Sequence, residues 1–135
     1  MPAGYSETPL AKKLNLRDDQ RVWFHAMPES VQDEIGEYAL DLIFVADPAE
    51  GIDAAHIFVT TREELSSLLA TLRNQIATDG HIWVSWPKQA SKVPTDVTQD
   101  TIREVALPTG LVDTKVCAVD ETWSGLKLVI RKELR

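Results

Sequence analysis

"LVDTKVCAVDETWSGLKLVIRK", residues 111–132, admits few chain topologies. Two apolar runs, "LVDTKVCAVD" (111–120) and "LKLVIRK" (126–132), meet across a short polar segment that ends in Ser124 and Gly125. No helical pattern lies between them. So few residues cannot form the crossover that parallel neighbours need, so the two runs reverse direction as an antiparallel hairpin. Ser124-Gly125 read as its turn or as a bulge. Lys115, a charge within the first run, suits an exposed edge strand.

Upstream of this hairpin the pattern is different. "TPLAKKLNL" (8–16) predicts a short helix with Thr8 as N-cap and Pro9 at the first helical position. "QRVWFHA" (20–26) is strand-like. "PESVQDEIGEYA" (28–39) places Val31, Ile35, Tyr38 and Ala39 on one helical face. Two short apolar runs follow, "LIFVA" (42–46) and "HIFVT" (56–60), separated by the turn-like "DPAEGIDA". A helix over 61–77 has Thr61 and Glu64 as a capping box and Leu65, Leu68, Leu69, Leu72 and Ile76 at core-facing spacing, with "DG" (79–80) as its stop. "HIWVSW" (81–86) is another strand and "TQDTIREVAL" (98–107) another capped helix. Alternation of this kind predicts an α/β fold: a three-layer, Rossmann-like, mostly parallel sheet of about six strands, ending in the antiparallel hairpin.

Composition bounds the function. The chain has 135 residues, 44% apolar and 26% charged, as expected of one globular domain spanning 1–135, with residues 1–7 too small and polar to expect order there. A net charge of −7 argues against a nucleic-acid partner, which needs clustered Lys and Arg. No apolar run approaches the roughly 20 residues of a membrane span, and "MPAGYSETPL" has no signal-like apolar core. A single cysteine, Cys117, fits a reducing compartment, so the expectation is a cytoplasmic protein.

A parallel α/β sheet closed by a hairpin resembles the methyltransferase-type Rossmann fold. "LATLRNQIATDGHIWVSW" (69–86) is similar to its helix, DG or GG turn and fifth strand, and residues 98–132 are similar to its last helix and closing hairpin. The resemblance implies that strand 126–132 inserts between strands 81–86 and 113–119. More specifically, "GYSETPLAKKLNL" (4–16), "VSWPK" (84–88) and "VCAVDETWSGLK" (116–127) resemble an uncharacterised bacterial family known only as domain of unknown function 3052. That resemblance implies a small Rossmann-like protein and carries over no functional residues.

Methyltransferases hold S-adenosylmethionine over a Gly-rich turn after the first strand, where bare backbone approaches the ligand. The turn here, "HAMPESV" (25–31), has no glycine, and Pro28 removes a backbone donor. No cofactor is therefore expected. Asp47 follows the second strand, as the ribose-binding acid of that family does, but "ADP" is equally an ordinary turn.

In open parallel sheets, ligands bind outside the carboxyl ends of the strands. That edge gathers His25, Asp47, Thr60, Thr61, Trp86, Lys88, Asp120, Glu121, Thr122 and Trp123. Lys88 with Asp120 or Glu121 reads either as a tuned acid/base pair, with Trp86 and Trp123 as pocket walls, or as a solvated ion pair beside a tryptophan that caps the core. His25 is a candidate general base or a hydrogen-bonded structural histidine. Thr61 and Asp47 complete the candidate ligand contacts. The three histidines and one cysteine lack metal-ligand spacing, so no metal site is expected, and Cys117 is expected to be packed and inert. Three readings stay open: a non-catalytic or regulatory module binding a small molecule or protein at this edge; a small enzyme using Lys88 with Asp120 or Glu121; or a degenerate methyltransferase partner subunit.

Overall fold

The computed structural model describes residues 8–135; the expectation for residues 1–7 lies outside the described residues. Six strands form one sheet: β1 (Arg21–His25), β2 (Ile43–Phe44), β3 (Ile52–Phe58), β4 (Ile76–Pro87), β5 (Leu111–Ala118) and β6 (Trp123–Ile130). Their order is β2-β1-β3-β4-β6-β5. The first four are mutually parallel, and β6 is antiparallel to both β4 and β5. The C-terminal hairpin therefore closes the sheet in the expected order, with β5 at the edge.

Strict alternation along the central strands separates two cores. Ala55, Ile57, Val59, Ile82, Val84, Leu126 and Leu128 face α3 (Arg62–Leu72) and α4 (Gln99–Ala106), which contribute Leu65, Leu69, Leu72, Ile102 and Ala106. Ala54, Phe58 and Trp83 face the other way, toward α1 (Leu10–Lys13) and α2 (Glu29–Gly36), which contribute Leu10, Ala11, Val31 and Ile35. Burial of both faces explains why these strands read as near-continuous apolar runs. The Trp83 indole donates to the Leu14 carbonyl at 2.9 Å, which fastens the end of the α1 segment to the sheet.

Two polar groups lie inside the second core. His56 Nε2 and Ser85 Oγ are 2.6 Å apart, and the imidazole stacks on Phe58. Burial pushes the His56 pKa down from 6.5 to about 3, with His81 adding to the effect.

Several local expectations are corrected. Helix α3 ends at Leu72, and Ile76 is the first residue of β4 rather than the last of the helical face. "DG" (79–80) does not stop the helix. It lies in a bulge of β4, which steps from Ile76 to His81 while β3 steps only from Ile52 to Ala54. A Cβ on Gly80 would sit 2.5 Å from the Asp53 carbonyl, so only glycine fits the neck of that bulge. Strand β3 starts at Ile52, inside the segment read as a turn, because residues 47–50 alone suffice to turn the chain as a 3-10 helix.

Pro9 is the N-cap of α1 rather than its first helical residue. Helix α2 buries Val31 and Ile35 but ends at Gly36, so Tyr38 and Ala39 leave its face and are exposed. In the hairpin, β6 begins at Trp123. Ser124 and Gly125 are paired strand residues, and the turn is residues 119–122. Gly125 lies tightly under the Trp83 ring, where a Cβ would stand 3.1 Å away and the ring would have to give by a few tenths of an ångström.

Candidate functional site

The carboxyl edge is assembled from loops whose own turns dictate where their polar groups point. After β4, the Lys88 backbone N–H donates to the Thr122 carbonyl at 2.7 Å and its ammonium donates to the Asp120 carbonyl at 2.6 Å. Lys88 thus clamps the hairpin tip to the end of β4 through two backbone oxygens. The Asp120 carboxylate turns the other way and accepts from the Thr122 and Trp123 N–H groups at 2.8 and 2.7 Å. It holds its own turn together. Glu121 is exposed on the tip and, among the described residues, forms no ion pair. The expected side-chain pair is therefore replaced by a bond to a backbone carbonyl, because the tight turn needs the carboxylate for its own amides.

Trp86 and Trp123 do not form two walls of one pocket. Trp86 stands opposite Ser124, and Trp123 opposite Pro87, so the two indoles leave on opposite faces of the sheet. Trp86 packs on the α3/α4 core, whereas Trp123 packs edge-on to Phe58 in the other, with centroids 5.0 Å apart.

Asp47 and Thr61 are also engaged locally. The Asp47 carboxylate accepts from Ala49 N–H at 2.9 Å, and the Glu50 carboxylate closes the box on the Asp47 N–H. Thr61 accepts from Glu64 N–H at 3.1 Å as the N-cap of α3. The return half of the expected box is displaced by one residue: the Glu64 carboxylate accepts from Thr60 N–H and lies 3.2 Å from His25 Nε2. His25 ends β1, stacks on Trp23 and remains partly exposed, as does Glu64. This imidazole–carboxylate pair is what the sequence reading missed. The signal was available, because β1 and β3 neighbour each other and the first turn of α3 must hang over the end of β1.

The turn after β1 tests whether the cofactor of the fold's methyltransferases fits. Ala26 takes φ 53 with its Cβ in place, Met27 packs on the α1/α2 core, and Pro28 is the N-cap of α2. Side chains occupy the places where bare backbone and free N–H groups would have to meet a ligand. These residues do not fit that cofactor. Among the described residues, no group of three or more His, Cys, Asp or Glu is placed to hold a metal ion. Cys117 is buried, and desolvation pushes its thiol pKa up. No helix among the described residues is long and apolar enough to cross a membrane.

Sheet order, closing hairpin and two-sided helical cover define a Rossmann-like domain of the methyltransferase type. Solved structures agree. The ribosomal protein L11 methylase of Lactobacillus delbrueckii subsp. bulgaricus matches with a TM-score of 0.55 at 10% identity, over 90% of this chain and 75% of the other. Magnesium protoporphyrin IX methyltransferase of Synechocystis PCC 6803, with bound SAM, matches with a TM-score of 0.57 at 13% identity, over 90% and 74%. Fibrillarin of Aeropyrum pernix, also with bound S-adenosyl-L-methionine, matches with a TM-score of 0.53 at 12% identity, over 93% and 70%. At these identities the likeness is one of fold. No curated protein matches the chain significantly. The chain belongs to the family described as "Protein of unknown function (DUF3052)", whose model matches residues 11–132.

Proposed function

We propose that the protein is a non-catalytic binding module that uses the carboxyl edge of a methyltransferase-type sheet to take a small molecule or a protein, and that it does not use S-adenosylmethionine. The observation that carries this reading is the engagement of the edge's polar groups. Asp120, Asp47 and Thr61 each complete a turn or a cap of their own loop, and Lys88 is spent on a backbone carbonyl of the neighbouring hairpin tip. A catalytic acid or base must instead be held within reach of substrate atoms and carry a proton there. Such an edge is a rigid recognition surface, with Trp86, Trp123 and the half-exposed His25 as its accessible features. A thermal-shift panel of metabolites tests it, since any ligand of the native state raises apparent stability. The expected result is stabilisation by a compound other than S-adenosylmethionine that is weakened by His25→Ala. Methyl transfer by the purified chain would overturn it.

One observation favours a second reading. His25 with Glu64 at 3.2 Å has the form of a base oriented by a carboxylate, and it is open to solvent. In a small enzyme this pair, rather than Lys88 with Asp120 or Glu121, would move the proton. Loss of a turnover in both His25→Ala and Glu64→Gln, with stability kept, would select that reading.

A further inference from the structure

The opposite edge of the sheet holds polar groups in a different condition. A cavity of about 370 Å³ opens where the segment after α1 passes the start of β4 and the far end of β6. Lys12, Arg17 and Lys127 line it, and none of their side chains has a hydrogen bond or an ion pair among the described residues. Two further lining groups carry buried atoms without a partner among the described residues: His81 Nε2, on a residue only 6% exposed, and Asn15 Oδ1. Buried polar atoms in native proteins are nearly always satisfied, so each orphan needs an explanation. Three like charges around one cavity also repel one another, at a cost that a bound anion would remove.

We propose that this amino-edge cavity is a binding site for a small phosphate-bearing ligand. The charges fit. Lys12, Arg17 and Lys127 line the cavity with a single carboxylate, Asp79, among them. Asp18, Asp19 and Asp53 line an adjoining cleft that shares Arg17 and Asp79, so the side between Lys12 and Lys127 is the one suited to a phosphate group. The donors fit as well: a guanidinium presents a planar fork to phosphate oxygens and two ammonium groups act as mobile point charges. Burial, with Lys127 and Arg17 nearby, keeps His81 neutral at ordinary pH. His81 therefore adds no fourth charge to the lining, and its unpartnered Nε2 is buried rather than exposed. Asn15 Oδ1 and Asp79 are acceptors, suited to hydroxyls on the body of the ligand. The volume lies at the lower end of small-molecule sites. The site is distinct from the carboxyl edge, so it stands or falls separately from the reading above.

The test is calorimetric titration of the full chain with inorganic phosphate, glycerol 3-phosphate and succinate at fixed ionic strength. The expected result is saturable binding of glycerol 3-phosphate with a dissociation constant below about 1 mM. Lys127→Met and Arg17→Gln should each weaken it by about tenfold or more, as loss of a charge-assisted contact does. His25→Ala, at the other edge, should leave it unchanged. Both cations lie on the rim, and melting curves of the two variants confirm that they fold. Absence of saturable phosphate-ester binding overturns the proposal, as does binding that ignores both substitutions. Succinate binding as tightly as glycerol 3-phosphate overturns the phosphate assignment.

Discussion

At the carboxyl edge, Lys88 and Asp120 find their partners within the loop they stand on or the hairpin beside it, and Asp47 and Thr61 do the same in their own turns. At the amino edge of the same sheet, Lys12, Arg17 and Lys127 surround a cavity without side-chain partners among the described residues, and His81 and Asn15 each hold a buried atom that has no partner among them. The two edges share one scaffold and one strand pair, β4 and β6. The position of an edge in a fold thus does not decide which residues are free for a ligand. Tight turns at the strand ends consume side chains near them, whereas a strand bulge that lifts the chain away leaves side chains over.

The largest effect should come from the scaffold both edges rest on. Leu69 is fully buried against the sheet by α3, and Leu69→Ala should cost about 2–5 kcal/mol in urea melts. A loss under about half a kcal/mol would mean that α3 does not support the sheet.

Acid should come next. His56 and His81 are held neutral in the fold, with pKa values lowered from 6.5 to about 3 and about 4. The unfolded chain therefore binds more protons between those values and 6.5, and stability falls as the pH drops through that window. At pH 7 neither imposes a cost. By pH 5 each should have removed about 2 kcal/mol. His56→Gln should flatten the pH dependence of the melting temperature below 6.5, and a curve no flatter than the wild type's would contradict this.

Smaller effects separate the edges directly. Asp120→Ala strips the acceptor from two turn amides and should cost about 1–2 kcal/mol. Lys88→Met removes one bond to a carbonyl and should cost about 1 kcal/mol. At the amino edge, Lys127→Met and Arg17→Gln should leave stability within about half a kcal/mol of wild type or raise it, because each relieves repulsion. If losses at the two edges were equal in chemical denaturation, the contrast between them would collapse.

The sheet order was legible because a hairpin without an intervening helix admits few arrangements, and the resemblance selected one of them. The two-sided cover was legible in apolar runs such as "HIWVSW". The boundary between α3 and β4 was not. Ile76 falls at both helical and strand spacing, and "DG" marks a bulge as readily as a stop. Of the candidate site, membership of the edge was readable but the partners were not. An aspartate followed by "ETW" can pair with a lysine or bond its own amides, and only the turn geometry decides. The amino-edge cluster did leave a trace. Lys127 lies between Leu126 and Leu128, both buried, so it must point to the other covered face, where a charge without purpose is costly.

On this reading the chain has the methyltransferase-type sheet, while the side chains of its first turn exclude that fold's cofactor. Calorimetric titration of the full chain with S-adenosylmethionine and with S-adenosylhomocysteine tests it most directly. Ala26 with its Cβ, the packed Met27 and Pro28 at the helix start predict no saturable heat up to about 1 mM of either compound. A dissociation constant in the micromolar range for either one would contradict the account.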